Sequence, residues 1–470
     1  MALIQFSGLA SGIDSAALID ALVEARESSN ELRRSEIEFL NSENDALEEL
    51  NTKILALNDL VDQFRTINGG GVKKEANTSD ATVATAAAGT TAINSSYTLT
   101  VTSVANTETA NITNGLSPWS SLTSEFDPDS GFDETLSITV GTGGSSFVIS
   151  VNVDTAAGDT LQDVIDAINN DPGAEGNIVA SAVNTGTSSS PNYQLVLQTL
   201  NTGTEEGAIS ISYTDSVGTG SITIDDSSAD ATDATFSIDG IAGTITRQTN
   251  TINDVISGVT FNLESAGQTT ITISDDADST GDQLQELIDA FNDIVDFVNE
   301  NDTIERIESG DNATNVFGTL AKTNVDNDLI SRFRTQLLAA SSANGTEVTA
   351  MSELGISTNR DGSLSFDIDE FIEAVNTDST GVSEVITDFA DNVAGTAGVL
   401  NQFTKFNGFI DLAQESNNNE ISNLNDAIEQ LERQTASMRE TLTLRFARLE
   451  QITAELQSKE SALSGILAGL

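Results

Sequence analysis

The chain contains no cysteine and no histidine among its 470 residues. Disulfides, thiolate nucleophiles and Cys-based zinc sites are therefore excluded, and so is imidazole, the commonest general base and metal ligand at neutral pH. Proline occurs four times and tryptophan once, so few residues stand ready to break a long helix. Bases are scarce as well: 19 Lys plus Arg stand against 73 Asp plus Glu, for a formal net charge of −54. A surface this negative repels phosphate backbones and anionic lipid, so no nucleic-acid partner and no membrane-surface role is expected. No stretch of about 18 apolar residues is present, so membrane insertion is not expected either. The opening MALIQFSGLASGID lacks the basic start and apolar core of a cleaved signal.

With these groups missing, a nucleophile would need help from lysine or carboxylate, and no such constellation stands out. An enzyme is not expected, nor a cofactor. The acidic clusters Asp225-Asp226, Asp275-Asp276-Asp278 and Asp367-Ile-Asp369-Glu370 have neither EF-hand nor nonapeptide-repeat spacing, and read as solvated surface rather than metal sites. Trp119, Tyr97 and Tyr193 read as core or loop anchors rather than a sugar-stacking platform.

What is present is periodicity. From Ile421 the residues Leu424, Ile428, Leu431, Thr435, Met438, Leu442, Arg445, Leu449, Ile452, Leu456, Lys459, Leu463, Ile466 and Leu470 recur at alternating steps of three and four, a coiled-coil seam. A helix over this stretch is roughly 75 Å long and needs a partner. At the other end, Asp14 or Ser15 suits an N-cap. A helix follows with Leu18, Leu22, Ala25 and Leu32 on one stripe. After a phase slip the stripe resumes as Leu40, Leu47, Leu50, Ile54, Leu57, Val61 and Phe64, until Gly69-Gly70-Gly71 stops it. The economical arrangement packs the two terminal seams against each other. Charge agrees: Arg247 is the only base between Glu75 and Gly281, whereas Thr435 to Leu470 carries four bases and four acids.

From about Val72 to Asp278 the period is two, in short Thr/Val/Ile runs such as Tyr97-Thr-Leu-Thr-Val, Leu136-Ser-Ile-Thr-Val and Phe147-Val-Ile-Ser-Val, separated by Ser, Asn, Asp and Gly: antiparallel strands and turns. One amphipathic helix interrupts them at Leu161, Val164, Ile165 and Ile168. Helical period returns at Leu284, Leu287, Phe291, Ile294 and Val298, predicted to lie beside the Leu47 to Phe64 helix, so that the β-rich block is an insertion in a helical bundle. A helix is predicted over about Asp328 to Ala340 and a hairpin over Met351 to Asp367, turning at Asn359-Arg-Asp-Gly. A helix over Ile368 to Ala374 and then a loose region precede the terminal seam.

This layout resembles the flagellar filament cap family, also called hook-associated protein 2. The resemblance is carried by Gly8-Leu-Ala-Ser-Gly-Ile-Asp14 before a helix, by Phe236-Ser-Ile-Asp-Gly with Gly258-Val-Thr-Phe-Asn-Leu, by Leu354-Gly-Ile-Ser-Thr-Asn-Arg-Asp-Gly-Ser-Leu-Ser-Phe-Asp367, and by the Leu-rich coil at the end. The stretch Leu161 to Leu197, with Asp166-Ala-Ile-Asn169, is similar to a repeat of flagellar axial proteins. The order of these pieces is more specific than any one of them. The acidity and the lack of histidine depart from the pattern.

The expected fold is α+β and multidomain, with long N- and C-terminal helices forming a coiled-coil stalk and helical domain and two inserted β-rich domains. The expected division is a stalk from 1–40 and 435–470, a helical domain from 41–74 and 280–434, an inner β-rich domain from 75–110 and 229–279, and an outer one from 111–228. The resemblance implies a homo-oligomer, about five copies in a closed ring, at the tip of the extracellular filament, promoting flagellin insertion. It implies type III export without a cleaved signal, and an export chaperone on the C-terminal helix. The seam residues expected to serve oligomerisation and filament binding are Leu18, Leu22, Leu32, Leu47, Leu50, Ile54, Leu57, Val61, Phe64, Met438, Leu442, Leu449, Ile452, Leu456, Leu463, Ile466 and Leu470. The alternatives are a secreted adhesin or surface-recognition protein, and a filament-forming flagellin, which would polymerise openly rather than close.

Overall fold

The computed structural model describes residues 14–128, 133–154, 157–214, 221–309, 312–341 and 347–467. The chain divides into two units, one joining both ends (up to Gly71 and from Ala277) and the other being Val72–Asp276.

The first element, α1 (Ser15–Asp62), begins where the Asp14 carboxylate accepts from the Ala17 amide at 3.1 Å, which satisfies one orphan donor of the first turn. It runs unbroken through the expected phase slip, because no Gly or Pro lies in its path. Past its end, Gly69 takes a left-handed φ of 74°, and a Cβ on Gly70 would meet the Phe64 carbonyl oxygen at 1.8 Å, so this reversal needs glycine.

In the Val72–Asp276 unit every named strand pairing is antiparallel. The strands up to the helix are β1 (Lys74–Thr78), β2 (Ala84–Ala88), β3 (Ser95–Ser103), β4 (Thr109–Asn114), β5 (Asp133–Val140) and β6 (Phe147–Asp154). After α2 (Leu161–Asn169) come β7 (Ile178–Asn184), β8 (Tyr193–Thr199), β9 (Ile209–Thr214), β10 (Ile222–Ala229), β11 (Ala234–Ile238), β12 (Ile245–Arg247), β13 (Thr251–Ile252), β14 (Val259–Leu263) and β15 (Gly267–Asp275). The sheets β1-β15-β3-β11-β12 and β13-β14-β2 enclose a core in which Phe236 meets Phe261 edge to face. The sheets β10-β4-β8-β7 and β6-β5-β9 enclose a second core with α2, centred on buried Trp119 stacked on Phe126. Alternate residues of each strand point into these cores, as the period of two predicts. Thr160 and Asp163 close a capping box on α2, and Leu161, Val164, Ile165 and Ile168 are its buried face.

The helical unit resumes with α3 (Ala277–Asn301), the hairpin β16 (Ile304–Ser309) and β17 (Asn312–Phe317), and α4 (Val325–Leu337). The short hairpin β18 (Ile356–Thr358) and β19 (Leu364–Phe366) follows, then α5 (Ile368–Ala394), α6 (Val399–Thr404) and α7 (Phe409–Leu467). As expected, α3 buries Leu284, Leu287, Phe291, Ile294 and Val298 and packs on α1, and the 351–367 hairpin turns at Asn359 to Gly362. Phe333 of α4 stacks on Phe291 at 4.5 Å and meets Phe389 of α5 edge-on, which ties three helices at one point.

Three expectations are corrected. The region after Ala374 is helical: α5 continues past a kink at Asp378, where Oδ1 accepts from the Gly381 amide, and α7 begins at Phe409, not Ile421. Its glycines fall at the kink and at helix ends, whereas Asn417, Asn418 and Asn419 lie within α7. The β16–β17 hairpin carries no period-two apolar signature, and its Ile304, Ile307, Val316 and Phe317 are exposed. The N-terminal stripe is displaced, as described next.

Candidate assembly surface

α1 and α7 are antiparallel partners, since rising numbers on one meet falling numbers on the other. Asp20 pairs with Arg439, Arg26 donates to Gln434 Oε1 at 3.1 Å, Arg34 donates to Glu432 Oε1 at 3.0 Å, and Asn417 donates to Asn44 Oδ1 at 3.0 Å. The ion pairs are solvent-exposed, so each contributes about 0–1 kcal/mol and serves more to set register than to hold the helices together. Stability comes from the inner half, where Leu47, Leu50, Ile54, Leu57, Val61 and Phe64 are buried.

On the outer half the face turned inward is Ser15, Ile19, Val23, Asn30 and Leu40. Leu18, Leu22 and Leu32, expected on the paired stripe, are instead 45, 45 and 76 % exposed. The inward stripe runs through Ile19, Val23 and Asn30 instead, and with it Asp20 pairs with Arg439 and Arg26 donates to Gln434. On α7 the predicted seam is turned inward from Ile421 through Leu442: Ile428 and Thr435 are buried, and Leu424, Leu431, Met438 and Leu442 are half-buried. Beyond that it emerges, with Leu449, Ile452, Leu456 and Leu463 at 47, 52, 60 and 64 % exposed. Ile466 lies within α7, and Leu470 lies outside the described residues. Among the described residues the structure therefore presents two apolar stripes at helical spacing that nothing covers, a pattern that marks an interaction surface.

The outer half also buries polar groups, Thr435 of the predicted seam and Asn30, which lies off the predicted stripe. Asn30 and Thr435 are both nearly inaccessible, and Asn30 Nδ2 and Thr435 Oγ1 have no hydrogen-bond partner. Such a layer specifies pairing at a cost in stability. The double variant Asn30→Leu with Thr435→Val is expected to raise stability by about 2 kcal/mol in denaturant unfolding; a loss would show that both groups are satisfied in solution.

Elsewhere two of the acidic clusters serve the fold. Asp275 pairs with Lys74 and accepts from Asn94, and Asp367 caps α5 through the amides of Asp369 and Glu370. Trp119 is a core residue whose indole N–H donates to the carbonyls of Glu125 and Phe126. Among the described residues no group of three or more acidic side chains is placed to hold a metal, and no helix is long and apolar enough to cross a membrane.

Comparison with known proteins places this architecture. Residues 11–108 match the family model of the flagellar hook-associated protein 2 N-terminus, residues 231–458 that of its C-terminus, and residues 135–201 the flagellin hook IN motif. The A-type flagellar hook-associated protein 2 of Pseudomonas aeruginosa is 27% identical, over 99% of this chain and 97% of that protein. The flagellar hook-associated protein 2 of Salmonella typhimurium is 25% identical over 65% of each. In fold, the crystal structure of the D1-D2-D3 domains of the flagellar cap protein FliD from Escherichia coli matches with a TM-score of 0.57 at 21% identity, covering 81% of this chain and 99% of that one. Two models of one family, matching in order and together spanning most of a chain whose ends pair as helices around an inserted β-rich unit, show that it belongs to the flagellar hook-associated protein 2 family, the caps of bacterial flagellar filaments.

Proposed function

We propose that this protein assembles with copies of itself into a closed cap at the filament tip and promotes insertion of flagellin beneath it. The observation that carries this reading is the pair of uncovered stripes, Leu18, Leu22 and Leu32 on α1 and Leu449, Ile452, Leu456 and Leu463 on α7. In a chain of net charge −54, apolar side chains at helical spacing are the groups able to hold like-charged copies together. The outer parts of α1 and α7 grip neighbouring copies and the filament, while the acidic β-rich unit stays solvated. Before assembly the same α7 stripe offers an export chaperone its docking face, and the protein leaves the cell by the flagellar export route without a cleaved signal. A ring of about five copies suits a heterologous interface that closes on itself. The proposed division into stalk, helical, inner and outer β-rich domains assigns gripping to the first two and the plate of the cap to the others.

Electron microscopy of the purified full chain tests this. Closed rings of uniform diameter are the expected result; long filaments would make it a flagellin-like polymer, and a monomer at every concentration would leave a surface-recognition role.

A further inference from the structure

The helical unit holds a carboxylate that its surroundings do not satisfy. Asp326, in the first turn of α4, is fully buried, and neither Oδ1 nor Oδ2 has a hydrogen-bond partner. Glu43 of α1 is also buried and carries a hydrogen bond from Asn417 of α7. The charged groups acting on Asp326 come from other elements: Asp302, at the end of α3, and Glu43, both negative. On α4 itself Asp328 is committed to Arg332, and α6, packed on α4, contains no charged residue. Lys322, the base of this junction, is held by Glu36 at 2.8 Å and lies over the Phe39 ring at 4.0 Å. Asp302 in turn accepts from Asn327 at 2.8 Å. No described cation is therefore placed to neutralise Asp326. A buried charge without a partner takes up a proton instead.

We infer that Asp326 is a proton-operated latch, tuned by the nearby charge of Glu43, in which uptake of one proton seats the first turn of α4 in the helical unit and its release loosens that joint. The direction of titration agrees. Burial pushes the Asp326 carboxyl up to about 6, Asp302 and Glu43 add to this, and the amides of Asp326 and Asn327, which face it without bonding to either oxygen, oppose it only in part. Burial also raises Glu43, against the hydrogen bond from Asn417 and the field of Lys322. A carboxyl raised above its unfolded value favours the folded state most at low pH, and that advantage is lost as pH rises from about 4 through about 6. The helical unit is thus expected to be more firmly closed in mildly acidic surroundings than at neutral pH, on a switch separate from the apolar stripes.

The test is denaturant unfolding of the full chain between pH 5 and 8 at fixed ionic strength, following the helical unit, with wild type compared at each pH against Asp326→Asn and Glu43→Gln. The wild-type folding constant is expected to fall relative to Asp326→Asn by roughly tenfold across this range. Hydrogen exchange in the first turn of α4, corrected for intrinsic rates, should rise over the same interval in wild type alone. Glu43→Gln should move the transition to lower pH by removing a neighbouring negative charge, and this comparison stands alone if Asp326→Asn fails to fold. Parallel curves for wild type and Asp326→Asn, or an unmoved transition in Glu43→Gln, would overturn the latch.

Discussion

A chain ending at Gln451 is expected to fold, to remain monomeric and to leave its bacterium without swimming motility. Among the described residues little covers 452 onward, since Ile452, Leu456 and Leu463 are each more than half exposed. The α7 residues that meet α1, from Gln414 to Arg439, all lie before the cut. In an assembly, covering the exposed parts of those three side chains contributes about 1 kcal/mol each. Their loss at one contact weakens association by more than about a hundredfold, and in a ring the loss recurs at every contact. Sedimentation of the shortened chain beside the full one, with motility in soft agar, makes the comparison. Rings that persist would move the assembly surface elsewhere on the molecule.

Phe333→Ala is expected to be the most damaging single substitution in the helical unit while sparing the β-rich one. The ring is fully buried, stacked on Phe291 and set against the edge of Phe389, so truncation opens a cavity where α3, α4 and α5 meet. Removing a buried phenylalanine costs about 3–5 kcal/mol. For a unit of this size that lowers its melting temperature by roughly 10 °C. Because Val72–Asp276 has its own cores, calorimetry should show two transitions, with only the one belonging to the helical unit displaced. A single transition moving as a whole would show that the two units unfold together.

The two predictions rest on different kinds of information. Helical and extended zones, the Asp14 cap, the hairpin at Asn359 and the period-two strands follow from residues close in sequence, because capping, turns and side-chain alternation are settled within a few positions. The exclusion of thiol and imidazole chemistry needs only composition. The order of the pieces likewise suffices to place the chain in its family. Tertiary structure decided which of two overlapping stripes on α1 turns toward α7. A helix of 48 residues offers several faces, and the one turned inward meets residues such as Gln434 and Arg439, some 400 positions away. It also decided that Leu18 and Leu456 stay uncovered and that Asp326 and Asn30 are buried unsatisfied, because burial belongs to whatever packs above a residue, and here that neighbour comes from a distant part of the chain.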